Sequence, residues 1–233
     1  MPLLVGIDLE TTGLDPQIDS IIEVGMVLWD TESCGLLKAF SSLVMPEFAI
    51  PAEVTHLTGI DQHMTMQSAG SAIAYLQRLC EGAVYMVAHN ADFEKSFLKK
   101  HGFTFPRWID TKTDLPYPPS KGEGPLNSIL MNHGLFNPMP HRALTDALAM
   151  MQLLSLYDFR EVERLALAEN IKIGVSFGYD KDMVDGIKAR GYHWVAEGKF
   201  WRKSFKDFQV NTELEKLADL GYNGRILEKE EGN

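Results

Sequence analysis

Over Leu3–Glu10 apolar and polar positions alternate with a period of two. This puts Leu3, Val5, Ile7 and Leu9 on one face of a strand and Leu4, Gly6, Asp8 and Glu10 on the other. Gly13-Leu14-Asp15-Pro16 then reads as a turn. Ile21–Trp29 and Leu36–Val44 continue as strands, antiparallel to the first because their connections are too short for a crossover. Helical spacing appears at Ser68–Leu79, through Ile73, Leu76 and Leu79, and Ala83–Ala88 follows as a short buried strand. Ala91–His101 reads as a helix stopped by Gly102, Arg107–Thr111 as a strand, Pro116–Pro125 as a loop and Leu126–Gly134 as a short helix. Ala143–Tyr157 is apolar nearly all round, the pattern of a buried helix, and closes this part of the chain. A mixed sheet flanked by helices, an α/β fold, accommodates all of these elements.

The pattern changes near Ile171. Lys172–Tyr179 reads as a strand, Lys181–Arg190 as a helix ended by Gly191, and Tyr192–Val195 with Phe200–Phe205 as a hairpin turning at Glu197-Gly198-Lys199. Thr212–Leu220 suggests a short helix ahead of an acidic tail. The expected organisation is a first domain over residues 1–165, a small α+β module over 171–210, and a helix with tail over 211–233.

Charge sharpens that division. The 233 residues carry 22 basic and 32 acidic side chains, net −10, which argues against a protein that coats nucleic acid by bulk charge. Residues 171–206 reverse the balance, with 8 basic against 4 acidic side chains, and are rich in aromatics. Lys188, Arg190, Lys199, Arg202 and Lys203 are therefore candidates to grip a phosphate backbone, with Tyr192, Trp194, Phe200 and Trp201 available to stack bases. The competing use of those rings is the core of the module itself. No apolar run approaches the roughly 18 residues of a membrane span, and no charged leader or cleavage site opens the sequence. The two cysteines, Cys34 and Cys80, lie outside any metal-ligand spacing. These features place the protein in the cytoplasm and away from a membrane, as an expectation.

Five acidic residues carry the candidate chemistry. Asp8 and Glu10 are two apart on a strand and project from one face, where two carboxylates repel unless a cation lies between them. Asp92 and Glu94 sit in the first turn of a helix, where the macrodipole favours acids. Asp146 interrupts an otherwise apolar helix, and a buried carboxylate there needs a partner. His141 precedes Asp146 by five residues, about 140° round a helix, so it must reach the same place from the preceding loop. Beside a carboxylate cluster it is a candidate general base.

Taken in order, Asp8-Leu9-Glu10-Thr11-Thr12-Gly13, His89-Asn90-Ala91-Asp92-Phe93-Glu94 and His141-Arg142-Ala143-Leu144-Thr145-Asp146-Ala147 resemble the three exonuclease motifs of the DEDD superfamily. The histidine five residues before the last aspartate is similar to its DEDDh, or DnaQ-like, branch, and Val54–Ile60 resembles a further segment of that branch. The resemblance covers roughly residues 3–157 and implies an RNase H-like fold. It also implies hydrolysis of phosphodiester bonds from a 3′ end, with two divalent cations, Mg²⁺ or Mn²⁺, held by Asp8, Glu10, Asp146 and the acid of the second motif, and with His141 taking the proton from the attacking water. Leu9, Thr11 and Thr12 would pack against the terminal nucleotide, and Asn90 would steady the second-motif turn. The implied partner is nucleic acid with a single-stranded 3′ end, DNA ahead of RNA, with a polymerase as a candidate protein partner. A catalytically weak binding protein on the same fold is the alternative. One position departs from the family pattern. Asn90 and Phe93 frame Glu94 where an aspartate is expected, so the second-motif metal role is assigned to Glu94, with Asp92 as the alternative if the helix starts later.

Overall fold

A computed structural model of the chain describes residues 2–65, 72–122 and 124–229. It divides into two compact units, Met1–Ala166 and Leu167–Asn233. Among the described residues no helix is long and apolar enough to cross a membrane.

The first unit is built on strands β1 (Leu3–Thr11), β2 (Ile21–Asp30), β3 (Gly35–Leu43), β4 (Ala83–Ala88) and β5 (Trp108–Asp110). They form one sheet of order β3-β2-β1-β4-β5, antiparallel across β3, β2 and β1 and parallel across β1, β4 and β5. The first strand of the chain is thus the central one. Nine of the ten residues of β2 are buried, so the sheet is covered on both faces. On one side Leu4, Val27 and Val87 meet Ile129 of α5 (Leu126–Asn132) and Met150, Met151 and Leu154 of α6 (Ala143–Leu154). On the other, Val5, Ile7 and Met26 meet Leu76 of α3 (Ala72–Leu79) and Phe97 and Leu98 of α4 (Ala91–Lys100). This is the mixed sheet flanked by helices that the periodicity predicts.

Three helices are additions to that reading. α1 (Ala52–Thr58) and α2 (Gln62–Thr65) are too short to show a helical period. The expected last helix ends at Leu154, and a separate α7 (Phe159–Ala166) follows, burying Val162 and Leu165. The early part of the expected helix at Ser68–Leu79 lies outside the described residues.

The second unit comprises β6 (Asn170–Val175), α8 (Lys181–Ala189), β7 (His193–Val195), β8 (Phe200–Lys206), α9 (Asp207–Asp219) and β9 (Gly224–Lys229). Its sheet, of order β7-β8-β6-β9, is antiparallel throughout. Ile187 of α8 and Val210 and Leu217 of α9 pack on Ile171, Ile173, Val175 and Trp201, so both helices cover one face. The segment expected as a short helix and free acidic tail is instead part of this unit. Its helix begins at Asp207, and Gly224–Lys229 adds an edge strand to β6. Val210, Leu214 and Leu217 give the helix an apolar side, and the short run Ile226-Leu227 supplies the strand. Residues 230–233 lie outside the described residues.

One close approach positions α6. A Cβ built on Gly25 of β2 would lie 2.1 Å from the carbonyl carbon of Ala143, so the first turn of α6 rests directly on the strand backbone. Gly25→Ala is expected to destabilise the protein by about 1–3 kcal/mol, the usual cost of overpacking a core. Gly178→Ala, where nothing lies within 4 Å, should be near neutral in the same urea melts.

Candidate active site

Alternation along β1 turns Asp8 and Glu10 to the side of Gly6, where a Cβ would meet Met151 of α6. Asp146 faces them from the first turn of that helix. Asp8, Glu10 and Asp146 each offer a carboxylate oxygen, and the three oxygens lie within 4.8 Å of one another. Asn137 Nδ2 donates to Asp146 Oδ1 at 2.7 Å, and the backbone N–H of His141 donates to Oδ2 at 2.8 Å, so both oxygens are oriented by the loop before α6.

The electrostatics follow from crowding. Burial, then the charges of Glu94, Asp146, Glu10 and Glu23, push the Asp8 carboxyl well above its ordinary range. Burial, with Asp146 and Glu23, raises Glu10 to about 8 although Arg142 opposes the shift. Asp146 is raised by burial despite the donors around it and the nearby charge of His141. Such a set resists ionisation unless positive charge is supplied.

Glu94 and Asp92 separate cleanly. Glu94 is 3% exposed, and its Oε2 is buried without a hydrogen-bond partner among the described residues. Burial raises its pKa well above the ordinary value. Asp92 is 94% exposed and pairs with Lys95 Nζ at 3.1 Å. An orphaned carboxylate oxygen in the interior costs free energy, and Glu94 contributes, after burial, the largest effect on Asp8. Three convergent carboxylates and this fourth one are an all-oxygen donor set, which fits hard divalent cations such as Mg²⁺ or Mn²⁺.

Both helices that carry these acids are capped by carboxylates from the sheet. The N-cap residues Arg142 and Asn90 make no side-chain cap bond of their own. Glu23 of β2 accepts from Ala143 N at 3.0 Å, from Arg142 Nε and Nη2 at 3.0 and 2.9 Å, and from Ser41 Oγ at 2.9 Å. Burial alone would raise the Glu23 pKa, but these donors outweigh it and lower the pKa. Asp110 of β5 accepts from Asn90 N at 2.8 Å and Ala91 N at 3.0 Å. His89, just before that turn, bonds through Nδ1 to Thr111 Oγ1 at 3.0 Å and is held neutral, its pKa lowered by burial to about 4.

The remaining expected residues fall into distinct places. His141 lies in the loop, as its spacing requires, in the left-handed region at φ 62° and exposed. Asn90 is also left-handed, at φ 78°, a conformation asparagine tolerates, and forms the turn into α4. Thr11 Oγ1 donates to Gly13 O at 2.5 Å, while Thr12 Oγ1 donates to Asp19 Oδ1 at 3.0 Å and accepts from Ser20 N at 2.9 Å, so both hydroxyls shape the β1–β2 loop. The Leu9 side chain is buried in the core with Ile21 and Val24.

In the second unit Arg190 pairs with Glu213 at 2.7 Å, and Lys203 donates to Arg190 O at 2.7 Å while covering the rings of Tyr192 and Phe205. Lys188 lies over Trp201, and Lys199 and Arg202 are exposed. Tyr192 and Trp201 belong to the core, whereas Trp194, which leans on Trp201, and Phe200 stay partly exposed, so the rings divide between the two uses the sequence allowed.

Glu23, Arg142, Asn137 and Asp110 were not singled out from the sequence. Glu23 carries the signal that drew notice to Asp146, a lone acid in an apolar run. Asn137 and Asp110 sit in a loop and a short strand with no local feature to distinguish them.

Comparison with known proteins adds the following. The Exonuclease family profile matches residues 5–107. The chain is 31% identical over 160 residues to DNA polymerase III subunit epsilon of Treponema pallidum, a match covering 64% of this chain and 73% of that protein. It is 33% identical over 166 residues to the PolC-type DNA polymerase III of Clostridium perfringens, covering 67% of this chain but only 11% of that much longer protein. Among solved structures, the nuclease domain of 3′hExo, a DEDDh family member bound to rAMP, matches with a TM-score of 0.58 and 19% identity over 66% of this chain and 90% of that one, a likeness of fold.

The raised carboxyls set a pH dependence. Folded Glu10 keeps its proton up to about 8, whereas an unfolded glutamate releases it near the ordinary 4.5, so its contribution is fully present below 4.5 and is lost as pH rises through 8. In EDTA the melting temperature of Glu10→Gln should therefore fall less than wild type between about pH 5 and 9. Mg²⁺ or Mn²⁺ should raise the wild-type value most at the alkaline end. Identical pH profiles for the two proteins would count against the crowded cluster.

Proposed function

The chain belongs to the DEDDh family of 3′–5′ exonucleases, and from that premise we propose how its site works and what it prefers to cut. The substrate is a nucleic acid with a single-stranded 3′ end, DNA ahead of RNA, and the products are released one nucleotide at a time. The observation that carries this reading is the convergence of carboxylate oxygens of Asp8, Glu10 and Asp146 within 4.8 Å, together with a buried Glu94 whose Oε2 has no partner among the described residues.

Asp8, Glu10, Asp146 and Glu94 would hold two divalent cations. When bound, these neutralise the scissile phosphate and lower the pKa of the attacking water. The chain's own residues do the rest. Asn137 and the His141 amide hold the Asp146 carboxylate in one orientation, so it need not reorganise when charge arrives. His141, in the loop whose backbone N–H holds Asp146, accepts the proton of the attacking water. Glu23 stays ionised and pins Arg142, which fixes the turn that carries His141. Glu94 replaces the aspartate of the family pattern without loss of charge, and its extra methylene is accommodated from α4. The similarity to a polymerase III subunit supports a polymerase as a partner.

A 5′-labelled single-stranded oligonucleotide incubated with Mg²⁺ or Mn²⁺ should shorten from its 3′ end, and DNA should be cut faster than matched RNA. Glu94→Ala should reduce the rate to near background while Asp92→Ala stays near wild type. The reverse order would move the metal role to Asp92. His141→Ala should cost about 10²–10⁴-fold in kcat. No shortening at any metal concentration would leave a binding role alone.

A further inference from the structure

Among the described residues of the second unit, α8 and α9 cover one face of its sheet and no helix of the unit covers the other. Strand register lines up Arg225 of β9, Gly174 of β6, Arg202 of β8 and His193 of β7 as successive cross-strand partners. Their neighbours along the strands, Ile173, Val175 and Trp201, turn into the core beneath the helices, and a Cβ on Gly224 would meet Leu217 and Leu214 of α9. The row therefore shares the helix-free face. Three strand spacings of about 4.8 Å make it about 14 Å long.

Arg225, Arg202 and His193 are exposed. Among the described residues neither arginine has an ion-pair or hydrogen-bond partner, whereas Arg190 is spent on Glu213 and Lys203 on the Arg190 carbonyl. No position in the row is acidic, in a chain of net charge −10. Phe200, paired with Val195, stands on the same face one row away, and Lys199 lies in the hairpin turn beside it. At the far end a polar cleft of about 140 Å³ is lined by Ser176, Asn223 and Arg225.

We propose that this row binds the phosphodiester backbone of single-stranded nucleic acid without regard to sequence, giving the enzyme a hold on the polymer separate from its 3′ end. The choice of polyanion rests on the exonuclease reading. Two guanidiniums on one sheet face, without a partner among the described residues, can each take a phosphate, and the partly exposed Phe200 offers a ring to an unpaired base. Of the five cations singled out from the sequence, Arg202 and Lys199 belong to this surface, and Lys188, Arg190 and Lys203 do not. Arg225 and His193 complete it.

The test uses the full chain with Asp8→Asn to prevent cutting, in EDTA, titrated against a fluorescein-labelled dT20 by anisotropy at several KCl concentrations. Adding Arg202→Ala with Arg225→Ala should weaken binding at least about tenfold at low salt and reduce the slope of log K against log[KCl] by about 1.4, or 0.7 per phosphate contact. Lys188→Ala should change neither, and the charge-keeping pair R202K/R225K should retain the wild-type slope. An unchanged slope in the alanine pair, an equal effect from Lys188→Ala, or an equal loss in the lysine pair overturns the proposal. In the otherwise active chain the alanine pair should hydrolyse the p-nitrophenyl ester of thymidine 5′-phosphate at the wild-type rate. A wild-type chain that binds dT20 through the row yet cleaves neither the ester nor an oligonucleotide would refute the exonuclease reading and leave the row standing.

Discussion

Like charge gathered at one end of β1 is the constraint to which the first unit answers. Asp8 sits among Glu94, Asp146, Glu10 and Glu23, each of which makes its ionisation harder. A fold driven only by burial would disperse such a cluster, because each buried charge costs several kcal/mol unless paired. Here the acid that is paired with an arginine, Glu23, is not one of the four carboxylates assigned to cations. The others are left short of positive charge, which is the condition for taking it from solution as a cation.

The same repelling set must be held rigid, and the means is repeated. Neither α4 nor α6 closes its amino terminus with the side chain of its own N-cap residue. Each instead receives a carboxylate from a neighbouring strand, Asp110 from β5 and Glu23 from β2. Exposed amides at a helix start attract an anion, so the sheet reads out the position of each helix through a hydrogen bond. Because Glu94 and Asp146 lie in those first turns, registering the helix start also registers the ligand. Gly25 completes the arrangement by letting α6 touch the β2 backbone.

Much of this was legible from residue order. Period-two alternation over β1 placed Asp8 and Glu10 on one side, and the apolar run around Asp146 marked it as buried and in need of company. The separation of Glu94 from Asp92 follows from helical geometry, and in the structure Glu94 is buried while Asp92 is exposed. What stayed hidden depends on contacts across long sequence distances. Asp110 looks like any turn acid until the start of α4 is laid against it. In the second unit the aromatics were visible but their destination was not. A small sheet with two helices on one side must draw its rings inward, and only register shows which cations remain on the other side. The edge strand β9 escaped notice because its residues look like a charged tail until β6 is there to pair with them.

The place of β1 in the sheet has a bearing on how the molecule comes into being. It meets β2 through a short loop, but its other neighbour begins at Ala83, and the third member of the oxygen cluster is Asp146. Loop closure over such spans is slow compared with forming a local meander. At the usual speed of translation, Asp8 and Glu10 wait roughly 7 to 30 seconds for residue 146 to be made. A nascent chain in that interval holds two isolated acids and no device to concentrate a cation. The cluster is complete only when α6 rests on Gly25 and brings Asp146 to the two strand acids.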